Sequence, residues 1–414
     1  MAYIGVLDCN NFFVSCERLF RPDLAKRPVA VLSSNDGCIV ARSQEIKDLG
    51  IPMGVPYFQV KDICMQAKAV LFSSNFALYR DISTRVMQAL QDEVGACEMY
   101  SIDEAFFAVP TTTTESELLI MRQSIMERTG IPVSIGIGPT KTIAKQASKQ
   151  AKKGNGVSIL DIDTWQGLTG TIACAEIWGI GRQLSTRLRS LGITTVSEYL
   201  ALPHPQVRTL FGVVGERLQS ELSGVSVHAV GAGIHEPHQS IMSTRSFAKT
   251  VTKRSDLESA ISYHVDAVAK KLREEKLLTT RMSVSIRPSR HGEYAGTRGH
   301  KDVEFSYPTA STQVLTQAAL AAVRDVFVSA ISYKKAGIVL TALVPEQYVP
   351  RSLFSETEIS DTSVLDSVTD ALNERYGNNT IHLASLRSGG SLTSATLRSP
   401  AYTTQWNDIP TVSA

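Results

Sequence analysis

Short apolar runs separated by polar turns fill the first half of the chain, and their spacing predicts both strands and helices. Runs of strand length lie at residues 3–9, 28–32, 37–42, 98–109 and 131–138. Apolar positions with helical spacing predict helices near residues 43–50, 76–94, 115–129 and 140–151. This order of elements is typical of an α+β sheet with helices on one face.

The pattern changes in the second half of the chain. Short helices are expected beyond residue 165, and the stretch 228–242, rich in Gly, Pro and His, is typical of a linker. A helical stretch follows at 256–276, strand-like runs at 282–289 and 337–345, and a further helix-like segment at 363–376. We therefore expect several domains, which 414 residues with 43% apolar content allow.

Composition indicates neither a membrane protein nor a disulfide framework. No apolar run approaches the roughly 18 residues that a membrane span needs, and the N-terminus lacks the pattern of a signal peptide. The six cysteines are scattered without a C-x-x-C pair, as expected for reduced thiols in a cytosol. These features favour a cytoplasmic protein without structural zinc.

The formal net charge of +2 is unevenly distributed. It is −3 over residues 1–110, +2 over 111–240, +7 over 241–339 and −4 over 340–414. A basic module of this kind is expected of a surface that follows a phosphate backbone, although a solvated charged face would have the same composition.

Two acidic motifs lie in apolar runs about a hundred residues apart: Asp8, and the pair Asp103 and Glu104. Burying three acids in neighbouring strands is costly unless cations compensate their charge. No basic residue lies near either motif in sequence, which argues against simple ion pairs. The motifs therefore predict a site for hard divalent ions, with Mg²⁺ the best fit, and favour phosphoryl-transfer chemistry.

Asp103 and Glu104 are adjacent, and adjacent residues on an ideal strand point to opposite faces. Both can approach one metal site only if the strand ends, bulges or turns there. We expect one direct ligand and one more peripheral acid.

Gly179 and Gly181 lie between two helical patterns within residues 177–193, an arrangement similar to a helix-hairpin-helix. Their exposed backbone N–H groups at the start of the second helix would bind a DNA phosphate without reading sequence. An ordinary helix turn with glycines is the alternative.

Three motifs together resemble the Y-family translesion DNA polymerases: D-x-N-x-F-F at 8–13, YSIDEAFF at 100–107 and AKKGNG at 151–156. Further segments are most similar to the polymerase V branch of that family: SNDGCIVAR at 34–42, FSSNFALY at 72–79, STRSF at 243–247 and SPAYTT at 399–404. The resemblance spans essentially the whole chain. It implies an α+β right-hand polymerase with the following domains: palm 1–19 and 74–165, fingers 20–73, thumb 166–232, linker 233–242, little finger 243–345 and a partner-binding tail 346–414.

The resemblance also implies roles for individual residues. Asp8, Asp103 and Glu104 would hold two Mg²⁺ ions, for which Mn²⁺ could substitute, with the backbone carbonyl of Cys9 as a further ligand. Phe13 corresponds to the steric gate, a ring that leaves no room for a 2′-hydroxyl. The residues expected to contact the nucleotide are Asn10, Phe12, Phe13, Lys47 and Lys153.

DNA and protein partners follow from the same resemblance. Basic residues expected to contact primer-template phosphates are Arg245, Lys249, Lys253, Arg287 and Arg290. PRSLF at 350–354 resembles a degenerate sliding-clamp peptide, with Leu353 and Phe354 as anchors and Pro350 where glutamine is usual. The tail is expected to bind a processed UmuD-like accessory dimer, and RecA is a further expected partner.

We therefore expect a bacterial, cytoplasmic, error-prone DNA polymerase that bypasses lesions in the SOS response and associates with the nucleoid during repair. Two alternatives remain at this point. One is a catalytically silent DNA-binding repair subunit, and the other is a palm-type nucleotidyl cyclase, since palm-like sheets with paired acids serve that chemistry too.

Overall fold

The computed structural model describes residues 2–231, 238–289, 294, 296–348, 362–377, 380–386 and 395–411. The chain forms two compact units. The first comprises Met1–Ser33, Cys38–His235 and Thr396–Ala414, and the second comprises Ser34–Gly37 and Glu236–Ala395. The C-terminal residues therefore belong to the same unit as the N-terminus.

The first unit contains eight strands and ten helices among its described residues. The strands are β1 (Ala2–Cys9), β2 (Val29–Leu32), β3 (Ile39–Arg42), β4 (Val70–Ser73), β5 (Cys97–Met99), β6 (Glu104–Pro110), β7 (Val133–Gly138) and β8 (Val157–Ile159). The helices are α1 (Phe12–Leu19), α2 (Gln44–Asp48), α3 (Tyr57–Gln66), α4 (Phe76–Val94), α5 (Glu115–Thr129), α6 (Lys141–Ala151), α7 (Ile162–Leu168), α8 (Arg182–Ser190), α9 (Val196–Leu200) and α10 (His204–Leu222).

The central sheet of this unit has the strand order β5-β6-β1-β7-β8. β1 is antiparallel to both β6 and β7, and β7 is parallel to β8. β1 is thus flanked on both sides, which explains why its residues from Gly5 to Cys9 are all buried.

Helices cover both faces of the central sheet. Leu7 and Phe107 pack in one core with residues of α4 and α5, whereas Val6 and Phe106 pack with Ala144 of α6 on the other side. Neighbouring residues on a strand face opposite ways, so these two cores lie on opposite faces. The expectation of helices on one face is wrong in this respect.

A smaller sheet with the order β3-β2-β4 lies in the same unit. β2 pairs antiparallel with β3 and parallel with β4, and its four residues are all buried. Ile46 of α2 and Val60 of α3 complete this core.

The region from residue 162 to 222 is helical and packs around buried Trp165, whose indole N–H donates to the carbonyl of Leu222 at 2.7 Å. The expected helix-hairpin-helix at 177–193 is present only in part. A 3₁₀ turn, Cys174–Glu176, takes the place of the first helix, and α8 begins after Gly181.

The second unit is a four-stranded antiparallel sheet with helices on one face. Its elements are β9 (Ile241–Val251), α11 (Arg254–Glu274), β10 (Leu277–Pro288), β11 (Gly299–Thr309), α12 (Thr312–Val326), β12 (Tyr333–Pro345) and α13 (Thr362–Tyr376). The strand order is β11-β10-β12-β9. Met282, Val284 and Ile286 alternate along β10 and form a buried core with α11 and α12. The intervening positions, which include Arg287, define the open face of this sheet.

α13 is joined to α11 within the second unit by a partly buried ion pair. Arg273 of α11 donates to both carboxylate oxygens of Asp370, at 2.7 and 2.8 Å. Bidentate Arg–carboxylate pairs fix geometry as well as adding energy. None of the helices formed by the described residues combines the length and apolarity that crossing a bilayer requires.

Gly136 of β7 marks the closest approach between the central sheet and α6. A Cβ atom there would lie 2.1 Å from the backbone nitrogen of Ser148 and 2.5 Å from the carbonyl oxygen of Ala144. Both atoms belong to the backbone of α6, so neither can move aside without displacing the helix.

We predict that Gly136→Ala lowers the free energy of unfolding by about 2–3 kcal/mol, because it overpacks this contact. Gly167→Ala is the matched control: no atom lies within 4 Å of its Cβ position in α7, and helix propensity favours alanine there. Urea denaturation followed by tryptophan fluorescence measures both. Equal stability of Gly136→Ala and the wild type would contradict the packing described.

Candidate active site

Asp8 and Glu104 are directly opposite each other on the antiparallel strands β1 and β6. Their side chains lie on the same sheet face as Val6, the face that α6 covers. The two side chains are only 12% and 18% exposed. The chain thus places two carboxylates side by side in a poorly solvated position.

The strand expected over residues 98–109 is interrupted at the acidic motif. β5 ends at Met99 and β6 begins at Glu104, and the N–H groups of Tyr100 and Ser101 both donate to the carbonyl of Glu104, at 3.0 and 3.1 Å. The sequence argument that the strand must end or turn at this pair is confirmed, and the single long strand is wrong.

Asp103 lies in this turn, beside the end of β1. Its carbonyl accepts from the N–H of Cys9 at 2.9 Å, and its carboxylate accepts from the hydroxyl of Ser101 at 2.6 Å. The backbone therefore brings Asp103 to Cys9, the neighbour of Asp8.

Two lysines of the α6 region pair with the acids. Nζ of Lys152 lies 2.6 Å from Oδ1 of Asp8, and Lys145 pairs with Glu104. The expectation against ion pairs at these acids is therefore wrong. The missed signal is the spacing of the lysines at 141, 145, 149 and 152, which places them along one face of a helix and its C-terminal turn.

Burial is the main cause that raises the pKa of Asp8 to about 6; the charge of Lys152 opposes this rise, and a hydrogen bond with Glu104 adds to it. Burial also acts to raise the pKa of Glu104, but hydrogen bonds from Asp8 and Lys145 outweigh it and lower that pKa. Like charges this close cannot both ionise cheaply. Positive charge is what this pair requires.

The donor set fits a hard divalent cation, because Asp8 and Glu104 are carboxylates on one face and Asp103 lies in the adjoining turn. Across the described ranges, no group of three or more His, Cys, Asp or Glu side chains is already arranged around one point. The hydrogen bond from Ser101 occupies one carboxylate oxygen of Asp103.

Aromatic rings lie immediately after β1, in α1 and α4. Phe12 is buried, whereas Phe13 is partly exposed and stacks on Tyr79 with 4.4 Å between ring centroids and 12° between planes. Phe76 packs edge-on against Phe13 at 5.8 Å. The side-chain oxygen of Asn10 accepts a hydrogen bond from the hydroxyl of Ser134 at 3.0 Å.

A cluster of cations lies close to Asp8. Lys47 of α2 donates to the side chain of Asn11 at 2.6 Å. Burial lowers the pKa of Lys47, and the neighbouring charges of Arg42 and Lys152 lower it further. Sequence reasoning missed Arg42 and Lys152 and favoured Lys153, which is exposed in the turn after α6.

The glycines expected to bind DNA lie at the start of α8. Gly181 is its N-cap and Gly179 has φ of 94°, in the region that favours glycine. Because Gly181 has no side chain, it cannot cap the first N–H groups of α8.

The basic residues of the second unit lie on different faces. Arg287 is exposed on the open face of the sheet, opposite Lys335 in β12. Arg245 pairs with buried Ala336 and lies 5.7 Å from the ring of Tyr263 on α11, so it is on the helix-covered face. Lys249 and Lys253 are exposed, whereas Arg290, Leu353 and Phe354 lie outside the described residues.

Three family models match the chain. Residues 7–149 match the impB/mucB/samB family, and residues 238–353 match the C-terminal domain of that family. Residues 363–412 match a domain of unknown function, DUF4113.

Relatives match over nearly their full length. Protein SamB of Salmonella typhimurium is 36% identical, with 98% of each chain covered, and protein UmuC of S. typhimurium strain LT2 is 34% identical, with 98% of this chain and 99% of the relative covered. DNA polymerase IV of Moorella thermoacetica is 27% identical over 92% of this chain and 95% of the relative. Among solved structures, a Y-family DNA polymerase chimera of Dbh and Dpo4 aligns over 83% of this chain and its own entire length, with a TM-score of 0.68 and 19% identity.

The chain shares the fold of a Y-family DNA polymerase. Relatives that match it over nearly their full length include a DNA polymerase IV, which makes the chain a DNA-directed DNA polymerase. The chain belongs to the impB/mucB/samB family, as its full-length relatives show. The expected fold and enzyme class are thereby confirmed.

Proposed function

We propose that this polymerase performs error-prone, template-directed synthesis past lesions in the SOS response to DNA damage. It would join deoxynucleotides to a primer 3′-hydroxyl. The observation that carries the proposal is that Asp8 and Glu104 lie directly opposite each other on neighbouring strands. The cations around Lys47 and the partly exposed ring of Phe13 lie near this pair, and the chain belongs to a family of polymerases.

Asp8, Asp103 and Glu104, with the carbonyl of Cys9, are the residues proposed to hold two Mg²⁺ or Mn²⁺ ions. When bound, such ions would lower the pKa of the primer hydroxyl and would neutralise negative charge on the leaving pyrophosphate. The buried Asp8, whose pKa burial raises, supports this assignment because its ionised form is disfavoured without added positive charge.

The triphosphate is proposed to bind the cations near Asp8. The charges of Arg42 and Lys152 both act to lower the pKa of Lys47, so an anion bound beside these cations would be stabilised. Lys153 would reach the same phosphates from its exposed turn. Phe13 would exclude ribonucleotides sterically, and Phe12 and Asn10 would contact the nucleotide near its sugar.

The thumb and little finger are proposed to hold primer-template DNA. Gly179 and Gly181 would donate backbone N–H groups to a phosphate. Arg287 faces Lys335 directly across two strands, and like charges in that arrangement destabilise a sheet unless an anion compensates them. Lys249, Lys253 and Arg290 complete the proposed contacts. Arg245, also expected to contact DNA, lies on the helix-covered face and so is not part of this open surface.

The domain boundaries given under Sequence analysis, from palm to tail, remain our proposal for this chain. Leu353 and Phe354 are proposed to dock on a sliding clamp, and the tail on a processed UmuD-like accessory dimer, with RecA as a further partner. The proposed location is the bacterial cytoplasm, at the nucleoid during repair.

We predict that Asp103→Ala abolishes nucleotide addition but leaves DNA binding nearly intact, because losing a metal ligand costs several kcal/mol of transition-state stabilisation. Primer extension on undamaged and abasic templates measures the first effect, and fluorescence anisotropy with labelled primer-template measures the second. Glu127→Ala, an exposed acid on α5, is the control and should extend normally. Residual extension above about one per cent of wild type would remove Asp103 from the metal site.

A second prediction concerns the open sheet face of the second unit. Arg287→Ala should weaken primer-template binding regardless of sequence and reduce the slope of log K against log salt by about one, because one phosphate contact is lost. Arg324→Ala on α12, where the side chain pairs with Glu258, should leave the slope unchanged. If the two variants behave alike, DNA does not follow the open face.

A further inference from the structure

The C-terminal segment, residues 396–411, extends the small sheet of the first unit. The N–H of Ser73 donates to the carbonyl of Leu397, and the N–H of Leu397 donates to the hydroxyl of Ser73, both at 3.0 Å. β4 is the edge strand of that sheet, so the segment occupies its free edge with a parallel bridge from Ser73 to Arg398.

Asn75 fixes this segment at the start of α4. Its side-chain amide donates to the hydroxyl of Ser399 at 3.0 Å and to the carbonyls of Ser399 and Pro400 at 3.3 Å. Its side-chain oxygen caps α4 and also accepts from Arg398 at 3.1 Å. Asn75 and Ser399 are 1% and 7% exposed, so these bonds are shielded from water.

Tyr402 adds an apolar contact to this attachment. Its ring stacks on Phe20 with 4.5 Å between centroids and 9° between planes. Phe20 directly follows α1, the helix that carries Phe13. The segment therefore contacts the end of α1, the start of α4 and the strand β4. Of these elements, α1 carries Phe13 and α4 carries Phe76 and Tyr79, whose rings pack on it.

A chain of buried contacts leads from Ser399 to Phe13. The hydroxyl of Ser399 donates to Oε1 of Glu17 at 3.2 Å, and the hydroxyl of Tyr79 donates to the same oxygen at 2.6 Å. Glu17 and Tyr79 are fully buried, and Tyr79 stacks on Phe13. Four residues from three separate parts of the sequence are thus in continuous contact.

Glu17 has few partners for a buried carboxylate. Burial raises its pKa, and the hydrogen bonds from Tyr79 and Ser399 oppose that rise. Within the described part of the chain, its second oxygen has no hydrogen-bond partner. Among the described residues, loss of the Ser399 hydroxyl would leave Tyr79 as the one side-chain donor to Glu17. A buried carboxylate with one donor is under-satisfied, which favours rearrangement around it.

We propose that Ser399 is a positioning residue: through Glu17 and Tyr79 it holds the ring of Phe13 and so sets how strictly the polymerase excludes ribonucleotides. The proposal rests on the sugar-excluding role proposed above for Phe13. It assigns a task to the end of the region that matches the domain of unknown function, namely to complete the nucleotide site of its own chain.

The test compares kcat/KM for a ribonucleotide with that for the matching deoxyribonucleotide in the full chain. Ser399→Ala and Tyr79→Phe should each raise the ribo-to-deoxy ratio by about three- to tenfold, the effect of one lost buried hydrogen bond. Ser399→Thr keeps the hydroxyl and should restore the wild-type ratio. Thr404→Ala, an exposed change in the same segment, should leave the ratio unchanged.

A merely structural role for Ser399 predicts a different outcome. Both kcat/KM values would then fall together and the ratio would stay constant, which would overturn the proposal. The variant Phe13→Ala distinguishes a wrong role for Phe13 from a wrong coupling between Phe13 and Ser399. If it leaves the ratio unchanged, the role of Phe13 is wrong; if it raises the ratio while Ser399→Ala does not, only the coupling is wrong.

Hydrogen exchange provides a readout that is independent of activity. Peptides covering residues 12–20 of the full-length protein should exchange faster in Ser399→Ala than in the wild type or Thr404→Ala, because α1 loses a buried contact. Identical exchange in all three proteins would overturn the coupling even if extension assays showed altered sugar choice.

Discussion

The structure depends on the cost of placing Asp8 and Glu104 side by side across β1 and β6. Two partly desolvated carboxylates repel each other, so the surroundings must supply positive charge. α6 supplies it in this structure through Lys145 and Lys152. α6 reaches the strands closely because Gly136 lacks a side chain at the contact. Sheet register, helix packing and lysine spacing together therefore bring positive charge to the acid pair, a requirement that divalent ions would also meet.

A second constraint acts on the aromatic ring of Phe13. Phe13 is partly exposed, so its orientation is not fixed by burial alone, and it rests on Tyr79. Tyr79 is held by Glu17, and Glu17 by a residue from the far end of the chain. The contacts that hold Phe13 thus extend to Ser399, near the C-terminal end of the chain.

Local signals allowed several elements to be predicted from sequence. α4 and α5 begin and end where expected, because Asn75 and a Thr114–Glu117 capping box start them and Gly95 and Gly130 end them. The break before Glu104 also followed from strand geometry. Contacts between distant segments could not be predicted in this way. The pairing of the acids with lysines depends on which helix covers which face, and the return of residues 396–411 to β4 has no signal in spacing or composition.

The central claim, that the acid pair binds the divalent ions of the reaction, is tested most directly by counting bound Mn²⁺. Electron paramagnetic resonance would measure Mn²⁺ bound to the complex of protein, primer-template and a non-hydrolysable deoxynucleotide. The wild type should bind two ions per complex, and the double variant Asp8→Asn with Glu104→Gln should bind fewer under the same conditions. An equal number of ions in both proteins would contradict the account.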